Sequence, residues 1–424
     1  MKHKKIYISA IILVCVLIFN FNQIRVFSKS FLSHEIKIYI KEIFFGKEYL
    51  KEINFYRQLG YNQLNLPNTQ FDDMILEKFK LEDIGNSSTH YKIITGKKKS
   101  PVKRFFVEDL DNGILIATAS GKFQFSENYD FNIFTGLKTN LDKFNIKEII
   151  DIKKINDEIY ISYVFKKPSK DNCSYIGIAN SKIDLELLNF ESFYEGRECT
   201  TATNVLGGRI YPYKHNDTDG FLITTGTADK EKNLAQNPES FFGKIWFFSL
   251  DKNKKILFSR GHRNPQGLIV YNKNIISTEH GPYGGDEINN IKFNSNYGFP
   301  ISSYGEPYAF KKKKNLETDY TYKKNHLDLG FVEPIFSFVP SIGVSEIEKI
   351  PNNFSKYWQE NFLVSSLNGR RIYRIKFDDE FNKIIYMETI FLGERIRDIK
   401  YIKNKNFIIL ALEETGSLGV LRAK

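Results

Sequence analysis

Along most of the chain, short apolar runs alternate with polar turns. Six of these segments share one form, an Asn-, Asp- or Gly-rich turn followed by an apolar stretch that ends in small or hydroxyl residues. They read DNGILIATAS at 111, NDEIYISY at 156, TDGFLITT at 218, NKNIIST at 272, QENFLVSS at 359 and NKNFIILA at 404. Successive starts lie 45, 62, 54, 87 and 45 residues apart. Short β-branched and aromatic runs bounded by such turns predict strands, and their recurrence at this period predicts a propeller. A blade cannot bury both faces alone, so neighbours must stack into a ring. An unbroken apolar run predicts a strand covered on both faces, in the inner part of each blade. The expected fold is all-β, a six-bladed β-propeller of four-stranded antiparallel blades over residues 101–424. A β-sandwich would give shorter strand spacing and no sixfold recurrence.

Ahead of that region the pattern changes. Ile36, Ile40, Ile43 and Phe44 recur at helical spacing, so residues 31–100 read as a helical lead-in and linker. The N-terminus, MKHKK followed by the apolar stretch Ile6–Phe21, reads as a signal peptide or an uncleaved membrane anchor over residues 1–30. Either places the body outside the cytoplasm, periplasmic or secreted. In that compartment Cys173 and Cys199 either pair or stay as two buried thiols.

Composition narrows the partners. With 42% hydrophobic residues the chain can bury a large core and is no disordered segment. The net charge of +11 is spread along the chain, with runs only at Lys97–Lys99 and Lys311–Lys314. No recognisable module accompanies it, so no nucleic-acid partner is expected.

The densest chemistry lies in RGHRNPQGLIVYNKNIISTEHGP, residues 260–282, at both ends of the fourth run. Pro265 biases Asn264 toward extended geometry. The Gly281–Pro282 turn lacks one N–H, which leaves carbonyls to point at a ligand such as Ca²⁺. Arg263 offers a planar fork to a carboxylate or quinone oxygen. A purely structural alternative joins Arg263, Asp286 and Glu287 in an interblade ion network. The long gap after the fourth run holds a loop-rich insertion, and long loops on a rigid ring commonly carry function.

This stretch resembles the soluble quinoprotein sugar dehydrogenases, the glucose/sorbosone dehydrogenase family. GHRNPQGL at 261–268 and EHGPYGGDEINNIKFNSNYGFP at 279–300 match two long family hallmarks, and weaker similarity extends over about 105–424. The resemblance implies a six-bladed propeller holding pyrroloquinoline quinone (PQQ) and Ca²⁺ at the channel mouth, with a small sugar or polyol as partner. It implies that Arg263 and Asn264 contact the quinone oxygens and that His280 lies against the cofactor. Gly281 and Pro282 would give carbonyls to Ca²⁺. Arg395 and Arg397, facing the same way on a strand, would grip the carboxylates.

Three positions depart from the family pattern. The histidine that serves as general base falls on Val205, whose isopropyl group accepts no proton. The carboxylate supporting that histidine falls on Thr227, and a cofactor-gripping lysine falls on Asn368. A general base is worth roughly a hundred- to ten-thousand-fold in rate. Three readings follow. One is a divergent dehydrogenase in which His280 or Asp229 replaces the base. Another is a non-catalytic propeller that binds a carbohydrate or protein. The last is an anchored scaffold without a ligand.

Overall fold

In the computed structural model the described residues are 74–82, 84, 92–95, 98–167, 173–201, 206–307 and 322–424. The expected anchor (1–30) and the helix expected over 33–62 lie outside them.

Each of the six apolar runs forms the second strand of its own sheet: Gly113–Thr118, Glu158–Phe165, Thr218–Thr225, Asn274–Glu279, Phe362–Ser366 and Phe407–Leu412. Six sheets of four main antiparallel strands follow in chain order, blades 1 to 6. The runs therefore stand one strand away from the axis. The axis itself is built by the first strands, Phe105–Asp109, Ile146–Ile155, Gly207–His215, Pro265–Tyr271, Val344–Lys349 and Ile396–Ile402. Each packs on the next, and the last packs on the first, which closes the ring.

Six apolar clusters explain why the runs are unbroken, because each cluster lies between two successive blades. Leu115 and Ala117 face the cluster shared with blade 2, while Ile114 and Ile116 face the one shared with blade 6. In blade 3, Phe221 and Ile223 face blade 2 and Leu222 faces blade 4. Alternate side chains leave opposite faces of a strand, and here both faces are core.

The turns ahead of the runs explain their Asn and Asp content. Asp111, Asn156, Asp217, Asn272 and Asn406 take φ of 69°, 53°, 60°, 54° and 53°, a left-handed conformation that Asn and Asp tolerate best after Gly.

The sixth blade is completed from the other end of the chain. Met74–Lys80 pairs antiparallel with Ser417–Ala423, from Met74 opposite Ala423 to Lys80 opposite Ser417. The ring thus reaches back into the segment that the sequence reads as lead-in. Cys173 and Cys199 form a disulfide with Cα atoms 5.7 Å apart.

Candidate functional site

Antiparallel pairing brings the start of each first strand beside the end of each second strand. Arg263 and Asn264 precede the first strand of blade 4, and His280, Gly281 and Pro282 follow its second. Asn368 follows the second strand of blade 5, and Arg395 and Arg397 open the first strand of blade 6. All of these fall at one end of the ring, its mouth. Val205 lies outside the described residues.

Hydrogen bonds join most of the predicted residues into one network. The Arg263 guanidinium donates to the His280 carbonyl at 3.1 Å, and the His280 N–H donates to the Asn264 carbonyl at 3.0 Å. Gln266 links Asn264 to Arg397. Its amide donates to Asn264 Oδ1 at 3.0 Å, and its Oε1 accepts from Arg397 Nη1 at 2.9 Å. Arg395 and Arg397 face the same way and meet the same carboxylate, Glu413, at 3.0 and 2.9 Å. Asn368 stands apart from this network, exposed at the rim, with its N–H on the Ile342 carbonyl at 3.0 Å.

The Gly-Gly-Asp-Glu hallmark has a backbone task. Asp286 Oδ2 accepts from the N–H groups of Ile342, Gly343 and Val344 at 3.0, 2.6 and 3.1 Å. Its Oδ1 accepts from Gly281 at 3.0 Å. It therefore staples blade 4 to blade 5 and fixes the Gly281–Pro282 turn. Glu279 plays a similar part. One oxygen accepts from the Arg263 N–H, and the other accepts from His262 Nδ1 at 2.9 Å.

Electrostatics sort the mouth by role. The His280 Nε2–H donates to the Val344 carbonyl, which leaves Nδ1 as the ring's acceptor. Burial lowers the His280 pKa to about 4, and Arg263 and Arg397 push the same way against Asp286. His280 is thus neutral at pH 7 and a weak base. Burial alone would raise Glu413, but Arg397, Arg395 and Arg104 pull it down to about 2. Arg397 itself is lowered to about 10, by burial first and then by Arg104 and Arg395.

Thr227 has no carboxylate to lend. Its N–H meets the Arg263 carbonyl at 2.7 Å and its hydroxyl meets the Glu231 carbonyl at 2.9 Å. The side chain of Asp229 lies outside the described residues. Among the described residues no three His, Cys, Asp or Glu side chains gather as a metal cluster. A cation at the mouth would rest on carbonyls. Among the described residues Pro282 O receives a long contact of 3.4 Å from the Ser341 hydroxyl.

Just below the mouth a buried ionic hub spans the axis. Arg209 Nη1 meets Asp151, Glu346 and Asp398 at 2.9, 3.0 and 3.2 Å. Each carboxylate also accepts a backbone N–H from a neighbouring blade: Ile210 at 2.8 Å, Leu268 at 3.2 Å and Val107 at 3.0 Å. Burial raises Asp151 to about 6 and Glu346 to about 8, although Arg209 lowers both.

The profile of the Glucose / Sorbosone dehydrogenase family matches residues 151–420, more than half of the chain. The chain belongs to the glucose/sorbosone dehydrogenase family. It is 29% identical over 206 residues to an uncharacterized protein of Synechocystis, covering 45% of this chain and 48% of that one. It is 23% identical over 261 residues to an aldose sugar dehydrogenase of Escherichia coli strain K12, covering 57% and 67%. The chain thus spans about half to two thirds of these relatives' lengths. The crystal structure of the soluble aldose sugar dehydrogenase from Escherichia coli in its apo-form superposes with a TM-score of 0.64 at 17% identity, covering 83% of this chain and 100% of that one. The PQQ-bound aldose sugar dehydrogenase from Streptomyces coelicolor gives 0.58 at 16% identity, covering 85% and 100%. At these identities the likeness speaks for the shared propeller.

Sequence reasoning missed the hub, Glu413, Gln266 and Arg104. Glu413 left one signal: the sixth apolar run ends in LALEET, with acids where the others end in small residues. The hub left another, a charged residue on the strand ahead of a run, as in IIDIKK, GGRIY, VSEIEK and IRDIKY.

Proposed function

We propose that the ring mouth holds a carboxylated quinone, PQQ, together with Ca²⁺, that a small sugar or polyol binds over it, and that dehydrogenation there is slow. The observation that carries this reading is the gathering of Arg104, Arg395 and Arg397 around Glu413, whose guanidiniums suit an anionic, multiply carboxylated ligand. In this reading Arg395 and Arg397 take the carboxylates. Arg263 and Asn264 face the quinone oxygens, and the Gly281 and Pro282 carbonyls serve Ca²⁺. When bound, the quinone supplies the hydride acceptor. The chain must supply a base for the sugar hydroxyl proton. His280 Nδ1 is the neutral acceptor at hand, and its low basicity makes it a poor one.

A second reading, binding without turnover, is favoured by Val205 and by the backbone commitments of Thr227. Kinetics separates the two. PQQ with Ca²⁺ is expected to raise the melting temperature, as any ligand of the native state does. Dye reduction with aldoses is expected to be slow. Val205→His with Thr227→Asp is expected to raise turnover by roughly a hundredfold or more. Turnover unchanged by that pair, with cofactor bound, would contradict the placement of the missing base. Failure of PQQ to bind at all would overturn the proposal. The disulfide supports an extracytoplasmic location for the body, delivered or anchored by residues 6–21.

A further inference from the structure

Arg104 opens blade 1 directly ahead of Phe105–Asp109. Its backbone is fixed against blade 6, because the Lys103 N–H donates to the Glu413 carbonyl at 2.9 Å. The Arg104 side chain is 10% exposed. Its Nη1 donates to Glu148 at 2.6 Å. Its Nε is sealed from solvent without a hydrogen-bond partner among the described residues, and Glu413 Oε2 is 3.9 Å away. That separation is too long for a hydrogen bond. A buried guanidinium donor left without an acceptor is costly unless something completes it. The adjoining charges point the same way. Arg104, Arg395 and Arg397 gather around the Glu413 carboxylate, and Arg397 is held below its ordinary pKa partly by Arg104.

On the opposite flank of Arg397 the Arg370 guanidinium is paired with Glu414 at 2.9 Å. There the exposed rim position is Asn368, on blade 5, where the resemblance places a lysine. Blade 6 lies between blades 5 and 1 in the ring. We infer that Arg104 is the third cation of the mouth, a ligand-binding residue that grips a carboxylate from the blade 1 side in place of the one Asn368 does not supply. This rests on the proposed reading that a carboxylated ligand occupies the mouth. The carboxylate belongs either to the cofactor or to an acidic sugar lying over it.

The test is a titration of the full chain with PQQ in Ca²⁺, read by PQQ absorbance, and a separate titration with a uronate. The variants are Arg104→Gln with Glu148→Gln, so that no lone carboxylate stays buried, and the conservative Arg104→Lys. The double variant is expected to bind PQQ roughly ten- to a hundred-fold more weakly, the usual worth of a charged hydrogen bond. Arg104→Lys is expected to keep most of the affinity. Asn368→Lys added to the double variant is expected to restore it, which a merely structural role for Arg104 does not predict. A loss confined to the uronate assigns the carboxylate to the substrate. Wild-type binding with unchanged affinity of the double variant for both ligands overturns the inference alone. Absence of wild-type binding to either ligand overturns the reading beneath it as well.

Discussion

Glu413 is fully buried, and its charge is set by its neighbours. Three arginines hold it ionised far below the ordinary carboxylate range. A group depressed in this way contributes stability that is present above its ordinary pKa and lost as pH falls through the native one. Thermal stability is therefore expected to drop as pH falls from about 4.5 toward 2, and Glu413→Gln is expected to remove much of that drop. His280 carries a kinetic counterpart. With a native pKa of about 4 its protonation state does not change between pH 5 and 8. The rate of any slow dye reduction is expected to be flat over that range. A bell centred near pH 7 would assign the proton to another group. At this scale the sequence was informative about position, since Asn264, Gly281 and Pro282 fall together at the strand ends of blade 4. It was silent on Arg104 and Gln266, whose roles come from long-range partners that no local pattern records.

Five of the six first strands carry charged residues, whereas the second strands carry them only at or next to an end, as at Glu158, Asp219 and Glu279, and packing explains the contrast. A second strand is covered by core on both faces, whereas a first strand turns one face to the narrow axis. Four of these axial faces meet in the Arg209 hub, where one guanidinium answers three carboxylates. Removing the central partner leaves uncompensated buried charge, so Arg209→Met is expected to cost about 3–5 kcal/mol in denaturant unfolding. Glu346 shows the opposite sign to Glu413. Its native pKa of about 8 lies above the ordinary value of 4.5, so the folded state holds the proton more tightly. Its contribution is present at low pH and is lost as pH rises from about 4.5 through 8. The melting temperature is expected to fall over that window, and Glu346→Gln is expected to flatten it. The six apolar runs made the second strands legible from spacing alone. The first strands were obscured because a charged residue inside a strand resembles a turn when its partners are unseen.

Ring closure belongs to the molecule as a whole. Blade 6 takes three strands from the C-terminus and its outermost strand from Met74–Lys80, so both ends of the described propeller meet in one sheet. Deleting that strand is expected to expose the edge of Ser417–Ala423, lower the melting temperature and promote aggregation. The sixfold ring was legible because each repeat obeys the same packing rule. The closing strand was not, since its pairing is set by a partner more than three hundred residues away. The mouth depends on that closure, as Arg395 and Arg397 from blade 6 meet Arg104 from blade 1 only when the ring is shut. An experimental structure of the full chain crystallised with PQQ and Ca²⁺ tests the account most directly. Planar density is expected between Arg263, His280 and the Arg395–Arg397 pair, with carboxylates on the guanidiniums and a cation at the Gly281 and Pro282 carbonyls. Density bound elsewhere, or a mouth left empty at saturating cofactor, would contradict it.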